Sequence, residues 1–176
     1  TGAANRRRLC EVVHLELMRS RRYTRPMTVV FIDLDGFKQV NDTLGHAAGD
    51  HVLAEVASLL RASVRGADLV ARVGGDEFVI LLAGVHDRAP LERVGAQILR
   101  RMRRAILFEG NLCKVAMSMG AVMGPTEPTP VTEAEVLMAQ ADRALYASKR
   151  AGRGRLTFMR ADGTLEELAE GARVGD

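Results

Sequence analysis

The sequence predicts one α/β domain built on a central mixed, partly antiparallel sheet flanked by helices, and three observations carry that prediction. Apolar strand-like runs alternate with amphipathic helical stretches, two of the runs are joined by glycine-rich turn residues as in a hairpin, and no internal repeat is visible. At 176 residues the chain has the size of a single domain that buries a core without disulfides or a structural metal.

The elements follow in order. From Asn5 to about Arg22, Leu9, Val12, Val13, Leu15 and Leu17 recur in a roughly helical pattern that Pro26 ends. Met27 to Asp35 reads as a strand, and the unbroken apolar run from Val29 to Ile32 implies burial on both faces. A short helix (about Gly36 to Thr43), a Gly45-His46 turn and a longer helix (about Gly49 to Val64) come next. In the longer helix Val52, Leu53, Val56, Leu59 and Leu60 form a core-facing stripe. Leu69 to Val73 and Phe78 to Leu82 are strands around Gly74-Gly75-Asp76-Glu77, a hairpin signal. A helix from about Ala89 to Ile106 precedes a strand from Leu112 to Val122 that Gly120 interrupts. Pro125, Pro128 and Pro130 mark a loop. Thr132-x-x-Glu135 is a capping box for a helix to about Ala151, and Leu156 to Met159 is a last short strand. Residues 1–160 are assigned to the domain. The acidic segment 161–176 is expected to be a tail, either linker or partly ordered helix.

Composition narrows the partners. With no Trp and 4% aromatic residues, the chain has little with which to stack bases, which argues against a nucleic-acid partner. Net charge is +3, yet arginines cluster at Arg6–Arg8, Arg19–Arg25, Arg100–Arg104 and Arg150–Arg155. Such clusters fit solvated helix faces, or a nucleic acid, a membrane surface or a small phosphorylated ligand, which charge alone does not separate. Cys10 and Cys113 stand alone without CxxC spacing, as in a reducing cytoplasm. No apolar run reaches the length of a membrane span, so no membrane contact is expected from this segment. The first residue is Thr1, so the chain reads as a piece of a longer protein with a regulatory domain upstream.

Chemistry concentrates in two places. Side chains alternate along a strand, so Asp33 and Asp35 share a face about 6–7 Å apart. Two carboxylates at the end of an apolar strand need a cation or hydrogen-bond donors to compensate them, and Mg²⁺ takes one or two carboxylates plus phosphate oxygens. Asp35 is equally suited to cap the following helix. The second place is Gly74-Gly75-Asp76-Glu77, where paired glycines allow a tight turn and close approach of another group. A strand ending in Asp-x-Asp beside an acidic hairpin tip gives a carboxylate cluster, the polymerase-like arrangement for phosphoryl transfer.

Gly74-Gly75-Asp76-Glu77-Phe78 resembles the signature of the GGDEF domains, the diguanylate cyclases of bacterial signalling. The resemblance extends to Thr1-Gly2, Asn5-Arg6-Arg7, Asp33-Leu34-Asp35-Gly36-Phe37-Lys38, Asn41-Asp42-x-x-Gly45-His46-x-x-Gly49-Asp50 and Ala141-Asp142 through Arg153. It implies a palm-like nucleotide-cyclase fold and condensation of two GTP into cyclic di-GMP with Mg²⁺ or Mn²⁺. By the same resemblance Asp33, Asp76 and the carbonyl of Leu34 are metal ligands. Asp76 or Glu77 deprotonates the attacking 3′-hydroxyl, and Asn41 and Asp50 read guanine. His46 lies beside the nucleotide or braces the turn. Lys38, Lys149 and Arg153, with the backbone of Gly36 and Phe37, hold the triphosphate. Without the family, Lys149 and Arg153 read as cations at a helix end.

Five residues separate Asp68 from Gly74, so Arg65-Gly66-Ala67-Asp68 falls where the family has its RxxD product-inhibition site. Arg65 and Asp68 are therefore the expected allosteric pair, with Arg93 a candidate to complete it; a local surface ion pair is the plainer reading. Two departures from the family pattern stand out. Thr1-Gly2-Ala3-Ala4 lacks the second large apolar residue of the usual opening, and Gly152-Arg153-Gly154-Arg155 lacks the usual Asn, a change expected to loosen a turn. Each chain has one set of site residues whereas the product has two identical halves, so catalysis implies a homodimer. The alternatives are a silent module sensing GTP or cyclic di-GMP, an interaction domain serving a missing neighbour such as a phosphodiesterase domain, and a mixed-dinucleotide synthase, which Asp50 disfavours.

Overall fold

The computed structural model describes residues 27–85, 87–124 and 134–171, and residues 11, 13–15 and 18 besides, which are helical. Most of the expected N-terminal helix, Cys10, the proline loop and Thr132 of the expected capping box lie outside the described residues. The elements are β1 (Met27–Asp35), α1 (Phe37–Leu44), α2 (His46–Arg61), β2 (Leu69–Arg72), β3 (Glu77–Ala83), α3 (Arg88–Met102), β4 (Ile106–Phe108), β5 (Asn111–Cys113), β6 (Ala116–Met123), α4 (Ala134–Arg150), β7 (Arg155–Met159) and β8 (Leu165–Glu170). Six strands form one sheet in the order β2-β3-β1-β6-β7-β8, and β4 and β5 make a separate two-stranded one. Within the large sheet β6 and β7 are parallel and every other pairing is antiparallel, so the expected mixed α/β architecture is present. No helix among the described residues is long and apolar enough to cross a membrane.

Strand parity sorts the core into two halves. Val30, Ile32 and Leu34 of β1, with Phe78, Ile80 and Leu82 of β3, pack with the stripes of α1, α2 and α3. The alternate residues Met27, Val29, Phe31, Val79 and Leu81 pack instead with Leu137, Met138, Ala141, Ala144 and Leu145 of α4. Burial on both faces is why β1 carries no polar alternation through its first six residues. A parallel pair needs a crossover, and α4 supplies it between β6 and β7. Because Met119 pairs with Leu156, the helix must return its C-terminal end to the edge of the sheet where β1 finishes.

Three expectations are corrected. Gly120 does not interrupt its strand, since β6 runs unbroken from Ala116 to Met123 and the break falls before it, at Lys114-Val115. The glycine is there for α4: a Cβ at this position would stand 1.9 Å from the Leu145 amide nitrogen and 2.3 Å from the Ala141 carbonyl oxygen. The helix expected to reach Ile106 stops at Met102, and Ile106 begins β4. The segment read as linker or helix contains β8, which pairs antiparallel with β7 and buries Leu168. Leu, Glu and Ala favour helix in isolation, but an open sheet edge satisfies the backbone better here.

Candidate active site

Parity also builds the site. Asp33 and Asp35 continue the Met27-Val29-Phe31 face of β1, and Glu77 continues the Val79-Leu81 face of β3, so all three carboxylates lie on the α4 side. Asp33 is the register partner of Glu77 on one side and of Ser118 on the other. The Leu34 amide donates to the Asp76 carbonyl at 3.3 Å, which ties the turn to the end of β1. Val73 N donates to Glu77 O at 3.0 Å. The Arg72 guanidinium donates to the carbonyls of Gly74 (3.1 Å) and Gly75 (2.8 and 3.1 Å), cradling the turn from below. A Cβ on Gly74 would meet Glu77 Oε2 at 2.5 Å, so the glycine makes room for that carboxylate.

The α4 crossover delivers the compensating cation. Lys149 Nζ lies 2.8 Å from Asp33 Oδ2, with the two side chains 32% and 14% exposed. Burial, then the charge of Asp33, push the Asp76 carboxyl above its ordinary value. Glu77 is raised in the same way, by burial and then by Asp33, Asp76 and Asp142. A shallow cavity of about 310 Å³ opens beside Glu77, lined by Asp142, Tyr146 and Lys149 among others. A larger groove of about 670 Å³, lined by His51, Arg101 and Ile106 among others, carries none of the expected site residues. Chemistry and not volume locates the site.

Asp35 does not cap α1. The N-cap is Gly36, at φ 83°, with no side-chain cap. The Asp35 carboxylate, 2% exposed, instead accepts from Ser118 Oγ (2.7 Å) and the Gly154 amide (3.4 Å), and Arg153 Nε stands 3.5 Å away. Burial outweighs these donors and keeps its carboxyl above the ordinary value. Phe37 is a core side chain, so what it can offer a ligand is its backbone at the start of α1, while Lys38 is exposed in the first turn. Asn41 lies against Gly49, where a Cβ would meet Asn41 Oδ1 at 2.0 Å. Asn41 Oδ1 is buried with no hydrogen-bond partner among the described residues. His46 and Asp50 are exposed at the beginning of α2.

Arg65 and Asp68 are set apart from this cluster. Asp68 accepts from the amides of Arg65 (2.8 Å) and Ala83 (3.0 Å), fastening the turn before β2 to the far end of β3, while the Arg65 side chain is exposed. At about 3.3 Å per residue, the length of the hairpin separates this turn from the acidic tip. Sequence reasoning missed Ser118, Arg72 and Asp142 as neighbours of the cluster. Arg72, two residues before the paired glycines, was the one with a local signal.

The donor set suits a hard divalent cation. Two carboxylates, Asp33 and Asp76, and the Leu34 carbonyl come from strand and turn ends joined by a backbone hydrogen bond. Among the described residues no group of three or more His, Cys, Asp or Glu side chains is close enough to hold a metal. That is compatible with an ion that keeps water or phosphate oxygens in its remaining positions.

The α/β domain thus presents carboxylates of a central strand and its neighbouring hairpin to a lysine. Residues 1–155 match the family model described as diguanylate cyclase, GGDEF domain; the chain belongs to that family, whose members generally use a divalent metal. Curated relatives include diguanylate cyclase TpbB of Pseudomonas aeruginosa PAO1, 42% identical over 73% of this chain and 29% of its own length. Diguanylate cyclase DosC of Escherichia coli K12 is 37% identical over 92% of this chain and 34% of its own length. The chain thus spans about a third or less of these relatives. The crystal structure of the GGDEF domain of Pseudomonas aeruginosa PA1120 (YfiN or TpbB) is 35% identical with a TM-score of 0.83, over 89% of this chain and 96% of that one. The GGDEF domain of DgcB from Caulobacter crescentus, solved in complex with c-di-GMP, is 27% identical with a TM-score of 0.78, over 90% and 92%.

Proposed function

We propose that this domain condenses two GTP molecules into cyclic di-GMP with release of two pyrophosphates, and that two copies face each other to do so. The observation that carries the proposal is the junction of β1 with the acidic turn: Asp33 opposite Glu77, the Leu34 amide on the Asp76 carbonyl, and Lys149 on Asp33. Asp33, Asp76 and the Leu34 carbonyl would hold Mg²⁺ (or Mn²⁺), which when bound neutralises phosphate charge and acidifies the attacking hydroxyl.

The chain's own groups do the remainder. Asn41 and Asp50 bind the guanine edge, the orphan amide oxygen of Asn41 being an acceptor suited to a guanine N–H. Asp50 favours GTP in both halves of the product. His46 lies beside the base. Lys38, Lys149, Arg153 and the backbone of Gly36 and Phe37 hold the triphosphate, with the first amides of α1 adding donors. The proton of the 3′-hydroxyl goes to Asp76 or Glu77, the two carboxylates that the hairpin turn sets beside Asp33. Arg65 and Asp68 form the product-inhibition site. Asp68 anchors the turn and Arg65 is the exposed arm that grips guanine and phosphate. A regulatory region outside residues 1–176 controls the pairing of two domains in the cytoplasm.

The test is direct. Protein forced to dimerise by a fused coiled coil is incubated with GTP and Mg²⁺, and cyclic di-GMP is measured by chromatography. Product from the wild type and none from Asp76→Asn with unchanged circular dichroism is the expected result. No product from the wild-type dimer ends the enzyme reading and leaves a binding module.

A further inference from the structure

Within that reading, we propose that Asp35 is a positioning residue: with Ser118 it locks the turn after α4 onto the end of β1, and so sets how tightly the domain grips a triphosphate.

The turn 152–154 has an unusual backbone. Arg153 is at φ 62°, left-handed for a residue with a side chain, between Gly152 at 111° and Gly154 at 60°. Such strain persists only where the surroundings over-determine it, and here the backbone groups of Arg153 and Gly154 are all held. Arg153 N donates to Ser148 O (3.0 Å), and Arg153 O accepts from Arg155 Nε (3.1 Å). The Gly154 amide is shared between Ser118 Oγ (3.2 Å) and Asp35 Oδ2 (3.4 Å), and Gly154 O accepts from Gly171 N (2.6 Å). The position that usually carries Asn in the family holds a glycine here, in a conformation both residues favour. The turn is thus tightly held and not loosened.

Asp35 is the hub of this arrangement. Its carboxylate touches β6 through Ser118, the turn through Gly154 and the Arg153 side chain at once. Asp33, two residues earlier on the same face, pairs with Lys149. One strand therefore fixes two of the three cations assigned to the triphosphate, Lys149 and Arg153, and it does so while carrying the metal-site carboxylate. Asp35 itself is 2% exposed behind Arg153, so it reaches the nucleotide through the turn and not by contact.

The experiment compares binding of a non-hydrolysable GTP analogue and of GMP, each with Mg²⁺, by calorimetry, beside steady-state kinetics. In Asp35→Ala the analogue should bind about tenfold more weakly, the scale of one misplaced charge-assisted hydrogen bond, while GMP affinity stays within twofold. KM for GTP should rise with kcat nearly constant. Asp35→Asn keeps an acceptor for Ser118 and Gly154 and should recover most of the loss. Ser118→Ala removes the nearer acceptor of Gly154 N–H and should give an intermediate loss; it decides the matter if Asp35→Ala does not fold. Equal losses for the analogue and GMP, or no loss in either variant, overturn the positioning role while leaving the cyclase reading intact. A wild type that binds neither ligand overturns both.

Discussion

At the Met27 end of β1 the residues facing α4 are Met27, Val29 and Phe31, buried with Leu137, Met138 and Leu145. At the Asp35 end the same strand and the same face carry Asp33 and Asp35, with Glu77 alongside, against Lys149 and Arg153. One end gains stability from apolar burial. The other holds partly buried carboxylates, which two cations and a set of directed hydrogen bonds compensate. Gly120 lies opposite Phe31 in the register, and by admitting α4 so closely it brings both regions under a single helix.

Replacing a carboxylate of the polar end has the largest expected effect, and of two kinds. Glu77→Gln should lower turnover by about 10²–10⁴-fold, the range of a lost general base, and Asp76→Asn should abolish it. Both should raise the thermal midpoint in EDTA at pH 7–8. The folded pKa of each carboxyl lies above its ordinary value, so the native state holds protons that the unfolded state has released. Stability is therefore fully present below the ordinary value and falls as pH rises through the folded one. The variants lack this loss, and their advantage should vanish near pH 4. A lowered midpoint at neutral pH in both variants would mean the acidic end is not strained.

Deleting residues 165–176 probes how far the polar end depends on the sheet edge. Arg155 is buried, and pairs with Glu167 and with Glu170 (3.2 Å) of β8. Removal takes both carboxylates from Arg155 and the cover from the edge of β7, an effect of about 1–3 kcal/mol, and frees Gly154 O from Gly171. Chemical denaturation should report the first and a raised KM for GTP the second. A truncated protein of wild-type stability and KM would make β8 a dispensable tail.

The apolar end should respond in the opposite sense to the carboxylates. Leu137→Ala should cost about 2–5 kcal/mol of stability with kcat and KM of the folded protein within twofold of wild type. A changed KM would show that the two ends are coupled through α4.

Much of this layout was legible in the sequence where the signal is local. The run from Met27 to Asp35 gives a strand with the bounds observed, and period-two alternation puts Asp33 and Asp35 on one face. What local pattern does not contain is the identity of neighbours. Ser118 opposite Asp33, the return of α4 over Gly120 and the pairing of β8 depend on contacts between distant segments. For the same reason Asp35 read equally well as a cap. Its donors could be assigned only once the crossover had brought Gly154 to it. Asp68 illustrates the reverse: an ion pair is the plain reading of Arg-x-x-Asp, but the carboxylate is taken by two backbone amides.

That turn supplies the smallest expected effect and a control for the comparison, because it lies at the other end of the hairpin from the acidic tip. Arg65→Ala removes an exposed side chain and should change stability by less than about 0.5 kcal/mol, with initial velocity unaltered. Progress curves should separate it from wild type: as cyclic di-GMP accumulates the wild type slows, whereas the variant continues. Asp68→Ala should relieve inhibition too, but with a stability loss of about 1–2 kcal/mol from the two amides it abandons. Two variants with equal relief and unequal stability would separate the arm that binds product from the anchor that presents it. Curves that slow identically in wild type and Arg65→Ala would remove the inhibitory role from this turn.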